Sequence, residues 1–179
     1  HCLPEPPPIC PMGTQERRAR EKQLRAEEIL NAAEQIFIQK GYDTSTVDDV
    51  AARVELSKGT VYLYFKNKED LYLAVVARAL EVLNQEFADA AKVEDRGLDK
   101  VLAMAYAYLR YAQQRPDYFR MLAYLRRPEG IDLTEGLHGE KCKEVVQRLH
   151  NLLIRAVQTG ISDASIDPAL NPIKTALLL

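Results

Sequence analysis

The chain has 179 residues, of which 47% are apolar and 28% are charged, and its net charge is −2. This composition is that of an ordinary globular protein with a buried core, and the charge excludes an overall basic field that would attract nucleic acid. The segment from Gly13 to Tyr72 is also about neutral, with ten Lys and Arg against eleven Asp and Glu. Any basic surface must therefore be local.

The first residues, HCLPEPPPICP, are rich in proline and lack the charged start and apolar core of a signal peptide. We expect residues 1–13 to be a leader, disordered or of cloning origin, outside the fold. The three cysteines, Cys2, Cys10 and Cys142, are an odd number and predict no disulfide framework. No apolar run approaches the roughly 18 residues that span a bilayer. These features predict a cytoplasmic, reducing location.

Helical periodicity begins after this leader, and no strand-like alternation follows. A first helix is predicted at about 20–39, ended by Gly41, with a basic cluster at its start (Arg17, Arg18, Arg20, Lys22 and Arg25). A second helix is predicted at 47–54, because Thr46 and Asp49 have the spacing of a capping box. A third is predicted at 58–64, with Val61 and Phe65 facing inward.

The remaining helices are predicted at about 68–91, 98–113, 117–126 and 137–159, with a loop at 128–136. A last helix is predicted to begin at Asn171-Pro172 and to be cut short at Leu179. In the fifth helix only Arg110 is charged between Val101 and Ala112, so we expect this helix at the centre of a helical domain. The sequence therefore predicts an all-α fold with a small N-terminal unit and a larger C-terminal bundle.

The second and third helices are separated only by Glu55, Leu56 and Ser57, which is the connection length of a helix-turn-helix. If Val61 faces inward, an exposed face remains, formed by Lys58, Gly59, Tyr62 and Leu63. Lys58 and Lys68 each follow a helix-capping residue, where the positive end of the helix dipole disfavours a cation. We interpret this placement as a device for holding an anion such as a DNA phosphate.

The run TVDDVAARVELSKGTVYLYFKNKEDL (46–71), with the helix before it, resembles the DNA-binding signature of the Tet repressor (TetR) family of bacterial transcription regulators. The resemblance implies that residues 14–70 form a three-helix, helix-turn-helix DNA-binding domain and residues 71–179 a helical effector-binding and dimerisation domain. It also implies a set of DNA-contacting residues: Thr46, Ser57, Lys58, Gly59, Thr60, Tyr62, Tyr64 and Lys68. Glu55 departs from the family pattern, which often has glycine in the turn.

The resemblance further implies a dimer that binds a palindromic operator and releases it when a small molecule occupies the bundle. Aromatic and sulfur-containing side chains on the fifth and sixth helices suit an adaptable apolar pocket. The candidate ligand-binding residues are Met104, Tyr108, Tyr111, Tyr118 and Met121. Few charges lie near them, so we expect an apolar or amphipathic effector, although the same side chains would equally suit a packed core.

The long seventh helix and the last helix are candidates for the dimer interface. The seventh helix has an apolar face that could equally pack within the chain, formed by Val145, Leu149, Leu152, Leu153 and Ala156. His1, His138 and His150 have no metal-ligand spacing, and no nucleophile or phosphate-loop motif occurs, so we predict no enzyme, no metal and no cofactor. Two alternatives remain open. The chain is an architectural or protein-partnered DNA-binding protein without a small-molecule switch, or it is a helical interaction module that does not bind DNA.

Overall fold

The computed structural model describes residues 13–125 and 136–178, and every regular element in these two ranges is an α-helix. The elements are α1 (Thr14–Thr44), α2 (Val47–Arg53), α3 (Lys58–Tyr62), α4 (Lys68–Val93), α5 (Gly97–Gln114), α6 (Pro116–Leu125), α7 (Gly136–Ser162) and α8 (Pro172–Leu178). The predicted all-α fold is confirmed, with a helix-turn-helix unit followed by a larger bundle. The predicted leader except Gly13, the predicted loop up to residue 135, and Leu179 lie outside the described residues.

The helix starts that were predicted from capping residues are confirmed by their hydrogen bonds. At α2, the Asp49 amide donates to Thr46 Oγ1 at 3.1 Å and the Thr46 amide donates to Asp49 Oδ2 at 2.9 Å. Asn67 Oδ1 accepts from the Asp70 amide at 2.7 Å at the start of α4. Asn171 Oδ1 accepts from two amides at the start of α8. These bonds satisfy amides that the helix itself leaves without partners.

α1 begins six residues before the predicted Arg20, at Thr14, where the Gly13 amide donates to Glu16 Oε2 at 3.1 Å. Residues 15–25 are exposed and have no apolar face, so hydrophobic periodicity could not reveal this part of the helix. They are mostly Arg, Lys, Glu, Gln and Ala, which favour helix intrinsically. Near the other end, Gly41 has a φ of 76° and interrupts the helical geometry, as predicted for a C-terminal stop.

α4 is the central helix, since it packs against α1, α5, α6 and α7. Eight consecutive residues from Asp70 to Ala77 are buried, so this part of α4 is covered on all sides. The prediction that the fifth helix holds the centre is wrong. In α5 the side chains of Leu102, Tyr106 and Leu109 are 46%, 62% and 56% exposed, and only its opposite face is buried.

Polar contacts join α1 to the bundle around this apolar core. The Arg78 guanidinium of α4 donates to Asn31, Glu34 and Glu27 of α1 at 2.7 Å each. From α6, the Tyr118 hydroxyl donates to Glu34 Oε1 at 2.6 Å and the Tyr124 hydroxyl donates to Asp43 Oδ1 at 2.6 Å. The helix-turn-helix unit is therefore attached to α4 and α6 through one face of α1.

Candidate nucleic-acid interface

The α2–α3 corner is closed by a backbone hydrogen bond, and one of its residues has an unfavourable conformation. The Leu56 amide donates to the Ala51 carbonyl at 2.9 Å, which closes the turn at the end of α2. Glu55 has a φ of 55°, the left-handed conformation that glycine adopts without penalty. A residue with a Cβ pays roughly 1–2 kcal/mol there. The turn thus keeps a strain that glycine would remove.

α3 has one buried and one exposed face, as the sequence predicted. Val61 is fully buried and Phe65, just after the helix, is 4% exposed. On the opposite side Tyr62 is 44% exposed, and Lys58 and Gly59 also face solvent. This exposed face belongs to a helix that is held by the corner and by the core beneath it. It is the surface that a duplex could approach.

The hydroxyls that were predicted to contact DNA also serve as local caps. Ser57 Oγ accepts from the Thr60 amide at 3.1 Å and lies 2.8 Å from Thr60 Oγ1. Thr46 Oγ1 donates to Asp49 Oδ2 at 2.9 Å. Thr46 and Ser57 are nevertheless exposed, so each retains a side open to a partner. The same residues therefore build the helix starts and line the exposed face.

Lys58 and Lys68, the two lysines that follow helix-capping residues, have different surroundings. Lys58 Nζ donates to Asp48 Oδ2 at 2.6 Å, and this hydrogen bond and the charge of Asp48 raise the pKa of Lys58. Lys68 Nζ lies 4.2 Å from the centroid of the Tyr42 ring, a cation–π contact, and 3.5 Å from the Asp43 carbonyl. The interpretation of Lys58 and Lys68 as holding a DNA phosphate stays a prediction, and in the protein alone Lys58 is already paired with Asp48.

A second lysine is paired with the first turn of α2 in the same way. Lys40 Nζ donates to Asp49 Oδ1 at 2.6 Å. The hydrogen bond from Lys40, followed by those from Thr46, lowers the pKa of Asp49 to about 2. Asp48 and Asp49 also favour the positive start of α2. The acids of α2 thus pair with Lys58 of α3 and with Lys40 of α1.

Tyr64 does not share the open position of Tyr62. It is partly buried and lines a surface depression with three cations of α1, Arg18, Lys22 and Arg25, and with Glu21. This neighbourhood could not be predicted from the sequence, because the first turns of α1 have no apolar pattern that would place them. Of the predicted DNA-contacting residues, Tyr64 and Lys68 lie against α1 and Thr46 lies at the start of α2. The others lie on or next to α3: Ser57, Lys58, Gly59, Thr60 and Tyr62.

The bundle contains a partly open cavity of about 410 Å³. Two of the predicted ligand-binding residues, Met104 and Tyr108, line it. The other lining residues come from α4, α5, α7 and α8: Leu83, Phe87, Val101, Ala105, Leu109, Leu149, His150, Leu153 and Ala176. The lining residues of α4, α7 and α8 were not predicted, because tertiary packing brings these helices together and helix periodicity gives no information on it.

Three other predicted ligand-binding residues do not line this cavity. The Tyr111 hydroxyl is buried and donates to the Ala79 carbonyl at 3.0 Å, and burial is the main cause that raises its pKa. Tyr118 is engaged with Glu34, as described above. Met121 lines a separate depression of about 280 Å³ beside Tyr72.

The face of α7 that was a candidate dimer interface is buried within the chain. Val145 is fully buried, and Leu149 and Leu153 are 8% and 9% exposed. Cys142 on the same helix is also fully buried, with its thiol donating to the Leu73 carbonyl at 3.2 Å, and burial raises its pKa to about 12. A thiol in this setting is a packing group rather than a reactive one.

One contact of α7 reaches the helix-turn-helix unit and was not foreseen. His138 Nδ1 lies 2.7 Å from Asp70 Oδ1, and its ring lies against Phe65 with centroids 5.4 Å apart. The second oxygen of Asp70 accepts from the Lys66 amide at 2.9 Å, between α3 and α4. Asp70 is 8% exposed. A single buried carboxylate therefore joins the start of α7 to the segment that follows α3.

A metal site and a membrane-spanning helix are both absent from the described ranges, 13–125 and 136–178. No group of three His, Cys, Asp or Glu side chains there is arranged to hold a metal ion. None of the helices described is both long and apolar enough to cross a membrane.

Residues 29–75, which include α2, α3 and the start of α4, match the family model described as bacterial regulatory proteins, tetR family. Over this segment the chain matches the TetR family. The relatives that it resembles along most of its length are named as transcriptional regulators, in agreement with the prediction of a regulator rather than an enzyme.

Two curated relatives illustrate the range of the family. The transcriptional activator FasR of Mycolicibacterium smegmatis is 26% identical over 155 residues, covering 81% of this chain and 70% of its own length. The negative transcriptional regulator IcaR of the biofilm operon in Staphylococcus aureus is 23% identical over 154 residues, with coverages of 86% and 78%.

Among solved structures, the transcriptional regulator FadR of Bacillus subtilis in complex with stearoyl-CoA superposes with a TM-score of 0.65. It is 22% identical, and the match covers 85% of this chain and 79% of that one. This likeness shows that the two chains share a fold.

We predict that Glu55→Gly raises the free energy of unfolding by up to about 1 kcal/mol, because glycine adopts the positive φ without a Cβ clash. Glu55→Ala is the matched control, since it removes the carboxylate but keeps the Cβ. Urea denaturation measures both variants. If Glu55→Ala gains as much stability as Glu55→Gly, charge rather than backbone strain is responsible.

Proposed function

We propose that this chain is a ligand-responsive transcriptional repressor of the TetR family that binds a palindromic operator as a dimer and is released by a small apolar or amphipathic effector. The observation that carries the proposal is the exposed face of α3, set on a helix-turn-helix within the matched segment. The negative regulation named for IcaR supports repression, while FasR is named as an activator.

We assign DNA binding and effector binding to two different sets of helices. Residues 14–70 form the DNA-binding domain and residues 71–179 the effector and dimerisation domain, so the boundary falls inside α4. In the first domain α3 enters the major groove, where Lys58, Gly59, Thr60 and Tyr62 face bases and phosphates. Thr46, Ser57, Tyr64 and Lys68 contact the flanking phosphates.

Gly59 supports a close approach between α3 and DNA. A Cβ built at this position meets only Ser57 Oγ, at 3.8 Å, so nothing within the protein requires glycine there. Glycine inside a helix costs about 1 kcal/mol relative to alanine. A residue that lowers stability without serving the fold is explained by the partner that approaches it.

We predict that Gly59→Ala leaves stability unchanged or raises it by up to about 1 kcal/mol, yet weakens DNA binding by at least about tenfold because the added methyl group separates α3 from the duplex. The duplex is one selected by the wild-type protein from a random pool. Fluorescence anisotropy measures binding and urea denaturation measures stability.

Ala52→Gly, on the exposed side of α2, is the control and should lower stability without the same loss of binding. Unchanged affinity for the Gly59 variant would remove α3 from the interface. If the wild-type chain selects no duplex, the DNA-binding function itself is contradicted.

A two-fold dimer would bring two α3 helices to half-sites about 34 Å apart, which gives a palindromic operator. The apolar face of α7 is used within the chain, so the proposed interface requires other surface. α5 exposes Leu102, Tyr106 and Leu109. Sedimentation of the free protein gives its oligomeric state directly.

The proposed effector site is the cavity between α4, α5, α7 and α8. Its volume of about 410 Å³ falls within the range of small-molecule pockets, and its lining is mostly apolar with His150 as a polar group. FadR of Bacillus subtilis was solved with stearoyl-CoA, an amphipathic ligand with a long acyl chain. Both observations support an effector with an apolar chain and a polar head.

We predict that a saturating acyl-CoA or fatty acid raises the thermal midpoint by several degrees, since ligand at 100 times its Kd adds about 2.7 kcal/mol of stability. Ala105 lines the cavity and is exposed, so Ala105→Trp should block entry without disturbing the core. The shift should disappear in this variant. The absence of a shift over a broad panel of apolar and amphipathic compounds would favour the alternative, a DNA-binding protein without a small-molecule switch.

The proposed route from effector to DNA is α7 and its contact with Asp70. Leu149, His150 and Leu153 of α7 line the cavity, and His138 lies three turns earlier on the same helix. A movement of α7 on ligand binding would displace His138, and with it the Asp70 carboxylate that holds the Lys66 amide. The segment following α3 would then shift relative to α4.

We predict that His138→Phe preserves the ring contact with Phe65 but reduces the coupling between effector and DNA. In the wild-type chain the effector should lower DNA affinity about 5- to 150-fold, the usual range of allosteric coupling. In His138→Phe this factor should approach one, while affinity for the effector alone stays unchanged. Anisotropy titrations with and without effector measure the coupling, and an unchanged factor would mean that the signal takes another route.

A further inference from the structure

The positive charge available to DNA lies on α1 rather than on α3. Between Thr14 and Arg25 the chain has five basic residues and two acidic ones, and residues 15–25 are all exposed. Arg18, Arg20 and Lys22 form no ion pair with any residue in the described ranges. By contrast, Lys58 of α3 is paired with Asp48, and Lys40 near the end of α1 is paired with Asp49.

Three of these cations share a side of the helix and meet the end of the α3 segment. Arg18, Lys22 and Arg25 follow the i, i+4, i+7 spacing of one helix face, and all three line the depression that contains Tyr64. Arg25 also pairs with Glu28 at 2.6 Å, and Glu21 lies at the same depression. The cationic face is therefore continuous with the segment that carries the exposed side of α3.

The spacing of this face suits a DNA strand. Seven residues of helix, from Arg18 to Arg25, span about 10.5 Å. Long arginine and lysine side chains distributed over this length can reach neighbouring phosphates of one strand. Arginine and lysine supply the donors, and the Tyr64 hydroxyl is a further donor of the kind that contacts phosphates.

We infer that Arg18, Lys22, Arg25 and Tyr64 form a phosphate-binding surface that extends the DNA contact of α3 along one strand. This inference rests on the proposed DNA-binding function. It adds that the sequence-independent part of the DNA affinity comes mainly from α1. α3, with its compensated lysine, distinguishes sequences, while α1 supplies most of the counterion release. The cations of α1 should therefore account for most of the salt dependence of DNA binding.

The test compares two variants that lose the same charge at opposite ends of the molecule. The first is Arg18→Gln, Lys22→Gln, Arg25→Gln, in which glutamine keeps the helix propensity. The matched control is Lys92→Gln, Arg96→Gln, Arg110→Gln, whose residues are all exposed near the far end of α4, a helix about 39 Å long. Anisotropy with a labelled random-sequence duplex of about 30 bp, over about 25–200 mM NaCl, gives the salt slope. Far-UV circular dichroism confirms that both variants are helical.

Each lost phosphate contact should reduce the slope of log K against log salt by about 0.9, so the α1 variant should lose roughly 2–3 units. Its affinity near 0.1 M salt should fall by about 100-fold, whereas the control should change its slope by less than about one unit. The charge-conserving variant Arg18→Lys, Lys22→Arg, Arg25→Lys should restore most of the slope.

The outcomes separate the two proposals. If the wild-type protein does not bind the duplex even at the lowest salt, the proposed DNA-binding function is contradicted. If it binds, but the α1 variant keeps the wild-type slope or matches the far-end control, the α1 surface is not a phosphate site and the inference alone is overturned.

Discussion

The burial of α4 on all sides of its first turns is the constraint on which the other features depend. From Asp70 to Ala77 every side chain is in contact with a neighbouring helix, so this segment has no free face along which it could slide. α1 packs against it from the DNA-binding unit, and α5, α6 and α7 pack against it from the bundle. Because packed interiors have discrete arrangements rather than continuous ones, α4 is the fixed element against which the proposed movement of α7 would shift the segment that follows α3.

This arrangement separates two demands on the DNA-binding unit. In the proposed function, base recognition requires that α3 be held in place. Asp48 links α3 to α2 through Lys58, and Asp49 links α2 to α1 through Lys40. The pairing of Lys58 compensates positive charge on α3, which would weaken long-range attraction to DNA. The cationic first part of α1 would make up for that loss without an unpaired lysine on α3. Exposed ion pairs are individually weak, so an approaching phosphate can still displace Asp48 from Lys58.

Much of the fold could be predicted from the sequence wherever a local signal exists. Thr46, Ser57 and Asn67 mark helix starts because a side-chain oxygen at those positions satisfies amides within the next three residues. The first turns of α1 had no such signal, since residues 15–25 bury nothing. α5 was wrongly predicted to lie at the centre of the domain, because apolar composition alone cannot distinguish a fully covered helix from one with an exposed apolar face. The α2–α3 corner could be predicted from local signals. The cavity and the His138–Asp70 contact could not, because they join residues that are distant in sequence.

The contacts between the DNA-binding unit and the bundle differ in how readily they can be exchanged. The apolar contacts of Leu71 and Val75 are fully buried, and separating them would expose apolar surface at about 25 cal/mol per Å². Around them lie polar contacts of Arg78 with Glu27 and Asn31, which are partly exposed to solvent. Water can replace such contacts at a cost of about 0–1 kcal/mol each. In the proposed switch, a rotation of the DNA-binding unit would therefore cost least if it kept the apolar contacts and exchanged these polar ones, and it would change the direction of α3 without unfolding any helix.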